Sequence, residues 1–366
     1  MPPPKRVILA DDTLTADTAY RHACEGTAML WRSDFQNARQ LLQALARRAD
    51  AKNGKVKKGH SKTDAPLLSP REAFNRHRLA QSQRARTLGM LLIPFNADYS
   101  IPLGRAPDVS EACTEAYGPI TDHALPFVAT LRELLGLIGA HEWRKKGVAV
   151  AALDERIHPH YGVFSPVRGE YIQMVATTEL PATLQKKSLT FDIGTGTGVL
   201  AAVLAKRGIK KIIATEKDER ALACARDNID RLALSGRVDI LAVDLFPPGR
   251  APLIVCNPPW LPARPSSPIE HAIYDPESTM LLGFLNGLAA HLEPAGEGWL
   301  ILSDFAEHLG LRTRDELLAA IDAAGLKVLD RIDVRPTHPK AHDDADPLHA
   351  ARSKEVTSLW KLAAKQ

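Results

Sequence analysis

Two stretches of this chain hold residues whose types and spacing suit chemistry: Asn257-Pro258-Pro259-Trp260, and the run Asp192-Ile193-Gly194-Thr195-Gly196-Thr197-Gly198. In the first, an asparagine oxygen and a proline carbonyl form a pair of acceptors for the two N–H bonds of one amino group. An amide or aromatic amine is a poor nucleophile because its lone pair is delocalised. Acceptors fixed on both hydrogens oppose that delocalisation and take up positive charge as a new bond forms. Consecutive prolines stiffen such a turn and aim the carbonyl outward, and Trp260 offers a face to a flat group. Asparagine is a neutral acceptor, so the motif suits a glutamine amide and a base amino group equally. In the second stretch, glycines at 194, 196 and 198 allow a tight turn and leave no Cβ between the peptide edge and a ligand. The helix that begins near Val199 turns its first N–H groups toward that ligand. A dinucleotide fingerprint would place its last glycine at Val199, so a nicotinamide dehydrogenase is disfavoured. Asp192 would repel a pyrophosphate; it either orders the turn or attracts a cation. The ligand suggested is an adenosine with a cationic amino-acid tail.

The elements around these stretches alternate. Strands are expected at 189–194, 211–216, 238–243, 252–256, 298–303, 326–334 and 355–362, and helices at 198–207, 218–234, 278–292 and 313–324. Alternation of this kind implies a parallel sheet with right-handed crossovers and helices on both faces. The last two strands have no helix between them and should pair antiparallel. Ligands bind outside the carboxyl ends of such a sheet, and the candidate residues fall at those ends. Glu216 closes the second strand, where a carboxylate can accept from both ribose hydroxyls. Asp244 closes the third and can accept from an adenine amino group.

On Asp192 to Gly198, Glu216, Asp244 and Asn257 to Trp260, the chain resembles class I S-adenosylmethionine-dependent methyltransferases. More narrowly it is similar to the branch with an N-P-P-[YFW] motif that methylates planar amino groups. The resemblance covers roughly Gly162 to the C-terminus. It implies an α/β fold with a seven-stranded, mostly parallel Rossmann-like sheet, and S-adenosylmethionine as cofactor. It further implies cofactor contacts from Asp192, Gly194, Thr195, Gly196, Gly198, Glu216, Asp244, Leu245 and Asn257, with Asn257, Pro258, Pro259 and Trp260 at the reaction centre. In release-factor and ribosomal-protein glutamine methyltransferases a P-R-x-x-T-E segment roofs the pocket. Phe164, Pro166, Arg168 and Glu170 resemble it in part, but no Thr-Glu pair follows Arg168, and Arg168 with Glu170 can instead form an ion pair at a helix start. The acceptor implied is a macromolecule, either a glutamine in a protein of the translation machinery or a base in RNA or DNA. A non-catalytic cofactor-binding protein is a third reading.

The front half matches no family. Residues 1–146 are expected to form a basic, mainly helical domain, 147–180 a linking hairpin and pocket roof, and 181–366 the methyltransferase domain. Within the first, residues 1–12 read as a flexible arm, Asp17–Ala49 as helix broken near Ser33, and Ala51–Pro66 as a mobile basic loop. Helices are expected from Pro70, capped by Ser69, and over Asp122–Glu142. Residues 1–90 hold 17 Lys and Arg against 8 Asp and Glu, whereas the remainder holds 30 against 35, so an anionic partner such as a ribonucleoprotein fits the front half. Four scattered cysteines without a C-x-x-C pair argue against a zinc site or disulfide framework and suit a reducing cytoplasm. No apolar run is long enough to span a bilayer. The loop 262–276 should shape the substrate mouth. Residues 337–349, with three His and three Asp, read first as a substrate-recognition loop, next as a plain solvated loop and last as a metal site, since the spacing matches no zinc motif.

Overall fold

In the computed structural model, which describes residues 3–58, 68–266, 268–337 and 343–365, the chain divides into two compact units, Met1–Glu142 and Trp143–Gln366. Among the described residues no helix is long and apolar enough to cross a membrane.

The first unit runs β1 (Arg6–Ala10), α1 (Ala16–Glu25), β2 (Thr27–Trp31), α2 (Phe35–Lys58), α3 (Pro70–Leu88), β3 (Leu91–Phe95), α4 (Ser110–Tyr117), β4 (Phe127–Thr130) and α5 (Leu131–Lys146) as far as Glu142. Its four strands form one sheet in sequence order, parallel from β1 to β3, with β4 antiparallel at the edge. The expectation of a mainly helical domain therefore missed a sheet. The supposed flexible arm supplies β1. The supposed helix break is β2, entered through Gly26, which ends α1 in a left-handed conformation at φ 82°. The supposed loop after residue 50 continues α2 as far as Lys58, and residues 59–67 lie outside the described part. The start of the helix expected at Asp122 is turn and then β4. Five-residue, mostly apolar runs such as Thr27–Trp31 are too short for periodicity to separate strand from helix. The Ser69 cap is present as expected: its hydroxyl accepts from the Glu72 N–H and the Glu72 carboxylate accepts from the Ser69 N–H, the reciprocal arrangement that opens a helix.

The second unit begins with a two-stranded antiparallel hairpin, β5 (Val148–Val150) and β6 (Glu155–Ile157). It continues through α6 (Glu170–Thr177), β7 (Leu189–Ile193), α7 (Val199–Lys206), β8 (Lys211–Glu216), α8 (Glu219–Arg231), β9 (Val238–Ala242) and β10 (Ala251–Cys256). Then come α9 (Thr279–His291), β11 (Leu292–Ser303), α10 (Phe305–His308), α11 (Arg314–Ala323), β12 (Leu326–Val334), α12 (His349–Arg352) and β13 (Thr357–Ala364). Seven strands form the sheet in the order β12-β13-β11-β10-β7-β8-β9. All neighbours are parallel except β13, which runs antiparallel to both β11 and β12. This is the expected seven-stranded α/β architecture.

Alternate residues of each central strand feed opposite cores. Leu253, Val255, Trp299 and Ile301 join α6 and α7 on one face; Ile254, Cys256, Leu300 and Leu302 join α9 and α11 on the other. A period of two with both faces buried gives near-continuous apolar strands, as in β10, buried at every position.

Candidate functional site

The crossover from β7 leads outward to β8 on one side, and β10 lies on its other side. In an open α/β sheet the crevice at such a reversal of strand order, outside the carboxyl ends, is the binding position. Register brings the two motifs together there. Cys256 is opposite Ile193 across the parallel pair, so Asn257 and Gly194 leave the sheet side by side.

The glycine turn is built by β8. The amides of Gly194 and Thr195 both donate to the Thr215 carbonyl at 2.9 Å, and the Gly196 amide donates to the Glu216 carboxylate at 3.2 Å. The three glycines do different work. A Cβ on Gly196 (φ 57°) would meet nothing within 4 Å, so that residue faces open space. A Cβ on Gly194 (φ 70°) would come within 2.4 Å of the Met280 methyl at the start of α9. Gly198 (φ 81°) takes a left-handed conformation, and a Cβ there would sit 3.4–3.5 Å from Ala225 and Ile229 of α8, in ordinary contact. A side chain at this position would therefore lie against α8.

Asp192 is 1 % exposed. One of its carboxylate oxygens accepts from the Thr195 hydroxyl at 2.6 Å and from the Ala201 amide at 3.1 Å. Of the two roles open to it, the structure places it inside the turn. Burial pushes its pKa up to about 6, against the pull of those two hydrogen bonds. Thr195, also buried, is consumed by the same contact. Glu216 accepts from the amides of Lys217 (2.9 Å) and Asp218 (3.1 Å) as well as from Gly196, so its carboxylate is aimed along the lip of the turn. Asp244 lies on the exposed rim, 3.3 Å from Lys217. Leu245 takes a left-handed conformation at φ 63°, its carbonyl accepts from the Thr215 hydroxyl, and its side chain packs toward Gly283 of α9.

At the other motif, Pro258 is buried while Asn257, Pro259 and Trp260 are half-buried. The Trp260 indole N–H donates to the Asn257 side-chain oxygen at 2.9 Å. An indole N–H only donates, so this bond identifies which end of the amide is the oxygen. The Arg168 guanidinium covers one face of the indole at 4.8 Å. Arg168 in turn is held by Glu170 at 2.7 Å and by Glu355 at 3.0 Å. The ion pair is therefore present, and Arg168 also lies over the Trp260 ring; in the same segment before α6, Pro166 is buried and Phe164 half-buried.

Several residues of the site gave no local sign in the sequence. Asp275, buried, accepts from the Met280 and Leu281 amides and so caps α9 beside the glycine turn. Its own amide donates to Leu261, the residue after the motif. Asn228 donates to the carbonyls of Thr197, Cys224 and His158 and accepts from the His158 amide, tying the turn to the segment after the hairpin. His158 and His160 are structural, bonded to the Arg144 carbonyl and Asp227. Cys256 is a buried core residue. In the loop 337–349, residues 338–342 lie outside the described part; His349 pairs with Asp344 at 3.2 Å. Residue 267 of the loop 262–276 is likewise outside it. Among the described residues no group of three His, Cys, Asp or Glu side chains is placed to hold a metal.

Comparison with known proteins places residues 154–311 in a match to the methyltransferase small domain. A ribosomal protein L11 methyltransferase from Sorangium cellulosum is 28% identical over 243 residues, covering 61% of this chain and 69% of that one. A release factor glutamine methyltransferase from Cereibacter sphaeroides is 31% identical over 159 residues, covering 40% of this chain and 54% of that one. A tRNA1(Val) (adenine(37)-N6)-methyltransferase from Bacteroides thetaiotaomicron is 36% identical over 84 residues, covering 22% and 35% respectively. The chain thus spans about half or less of the length of the last two.

Proposed function

Since residues 154–311 match the methyltransferase small-domain model, we propose that this S-adenosylmethionine-dependent methyltransferase methylates a planar amino group held at Asn257 and Pro258. We further propose that the acceptor is a glutamine side-chain amide in a protein of the translation machinery, reached in the cytoplasm. The observation that carries the reading is the register of β7 against β10, which sets the Asn257 turn beside Gly194 at the reversal of strand order.

The residues fit the cofactor. Gly196 leaves its side of the turn open, and the Glu216 carboxylate lies at the lip, where it accepts from ribose hydroxyls. S-adenosylmethionine supplies an electrophilic methyl group on a sulfonium. The chain's own part is positioning, worth several powers of ten when a weak nucleophile is held near attack distance. The Asn257 oxygen has one lone pair engaged by Trp260 and one left for an acceptor N–H. The Pro258 carbonyl takes the second N–H. The amide nitrogen gains a methyl and gives up one proton, whose developing charge these two oxygens stabilise before it passes to water. A flat acceptor can stack only on the indole face that Arg168 leaves uncovered.

Relatives named as acting on release factors and on protein L11 support the protein acceptor. A base amino group is the second reading, supported by the tRNA adenine relative and by the basic residues 1–90. Incubation with methyl-labelled cofactor and cell lysate, followed by ribonuclease, deoxyribonuclease or protease, separates them. Label that survives both nucleases and is lost to protease is expected; label lost to ribonuclease would move the acceptor to RNA. Asn257→Ala is expected to lower turnover by at least a hundredfold, as removal of an oxyanion-type contact does at about 10²–10³. Its cofactor affinity should stay near that of the unaltered chain.

A further inference from the structure

Glu355 is 3 % exposed and lies just before β13, beside the carboxyl end of β11 at Ser303. One of its oxygens accepts three hydrogen bonds, from both terminal nitrogens of Arg168 (3.0 and 3.1 Å) and from the Ser303 hydroxyl at 2.8 Å. The remaining guanidinium nitrogen of Arg168, Nε, donates to Glu170 at 2.7 Å. Arg168 is thereby locked in one rotamer with its plane on Trp260. Burying ions costs several kcal/mol each, and replacing such a cluster by apolar groups is often neutral or stabilising. Stability alone is a weak reason for three charges at this position.

We propose that Glu355 is a positioning residue for the methyl acceptor: through Arg168 and the Trp260 indole it holds the Asn257 amide with its oxygen as the available acceptor. The inference rests on the reading of Asn257 given above. The chain of contacts is short and directional. The guanidinium fixes the ring, and its charge on the indole face strengthens the N–H as a donor. That N–H tolerates only the Asn257 oxygen; the flipped amide would set two donors against each other. Without Glu355, Arg168 keeps only Glu170, the ring gains freedom, and the amide can present its NH2 to the acceptor.

The test uses the full chain with 15N-labelled tryptophan, whose five indole signals are assigned for Trp260 with Trp260→Phe. Glu355→Gln and Arg168→Lys are each expected to shift the Trp260 N–H signal and speed its exchange with water. The other four signals should stay in place. In the same variants kcat should fall at least tenfold, with cofactor affinity within about twofold. A Trp260 signal that does not move, or an unchanged kcat, overturns the proposal. If Glu355→Gln loses the dispersion of all its indole signals, Arg168→Lys decides alone by the same criteria. The NMR arm does not depend on turnover: a responsive Trp260 together with a fully active Asn257→Ala would reject the acceptor role of Asn257 while leaving the coupling intact.

Discussion

At the scale of single residues, Asp192 shows how a motif residue can serve the fold beneath the site. Both of its hydrogen bonds reach the same oxygen, so Asp192→Asn keeps them while removing the charge. The folded pKa of about 6 is raised from 3.8 by burial. The stability linked to this group is therefore full below pH 3.8 and is lost as pH rises through 6, by about 3 kcal/mol at about 1.4 kcal/mol per pKa unit. Asp192→Asn should match the unaltered chain near pH 4 and exceed it in unfolding free energy at pH 8, measured by urea titration without cofactor. An equal difference at both pH values would reject the buried-charge account. Glu216→Ala should weaken cofactor binding by about 1.5–3 kcal/mol if two ribose hydrogen bonds to a charge are lost, read by calorimetric titration. Both acids were visible in the sequence as strand-end carboxylates. Their separate fates were not, because burial and hydrogen-bond partners are set by β8 and α7.

At the scale of elements, Asn228 of α8 is the staple between the glycine turn and the segment that follows the hairpin. It is 1 % exposed, and its removal leaves the Thr197 and His158 carbonyls without this donor. Asn228→Ala should lower the unfolding free energy by about 2–3 kcal/mol, the cost of stranding buried polar groups. It should weaken cofactor binding too, since the turn loses its rear support. Stability falling by under 0.5 kcal/mol would show that the staple is dispensable. Gly198 lies beside the same contact, and its positive φ opposes a side chain there. The strand–helix alternation of the second unit was legible because each strand is a distinct apolar run bounded by turns or helix caps. In the first unit the strands were not, since β2 and β4 each abut a helix end and merge with its apolar stripe.

For the whole molecule, charge is unevenly shared along the chain, with 17 Lys and Arg against 8 Asp and Glu in residues 1–90. Acceptor recognition should consequently depend on salt, whether the anionic partner is an RNA or a protein seated on one. Between about 50 and 200 mM KCl the acceptor KM is expected to rise severalfold as surface charges are screened. Cofactor affinity should change by less than about twofold. A salt-independent acceptor KM would remove the basic front half from recognition. The sequence did not disclose that the first unit contains a four-stranded sheet, and the match to the methyltransferase small-domain model begins at residue 154.

What the sequence determined by itself was the order and type of elements from the hairpin onward, the glycine turn, and the Asn257-Pro-Pro-Trp260 turn as its partner. Those features are local: periodicity, turn residues and strand-end polar groups all lie within a few positions of one another. Only the tertiary structure decided which of these residues face the crevice, and which serve the packing behind it. Only the tertiary structure, too, joined Arg168 to Glu355, 187 positions away. The antiparallel pairing of β13 with β11 sets the start of β13 level with the carboxyl end of β11, and no spacing along the sequence encodes that approach.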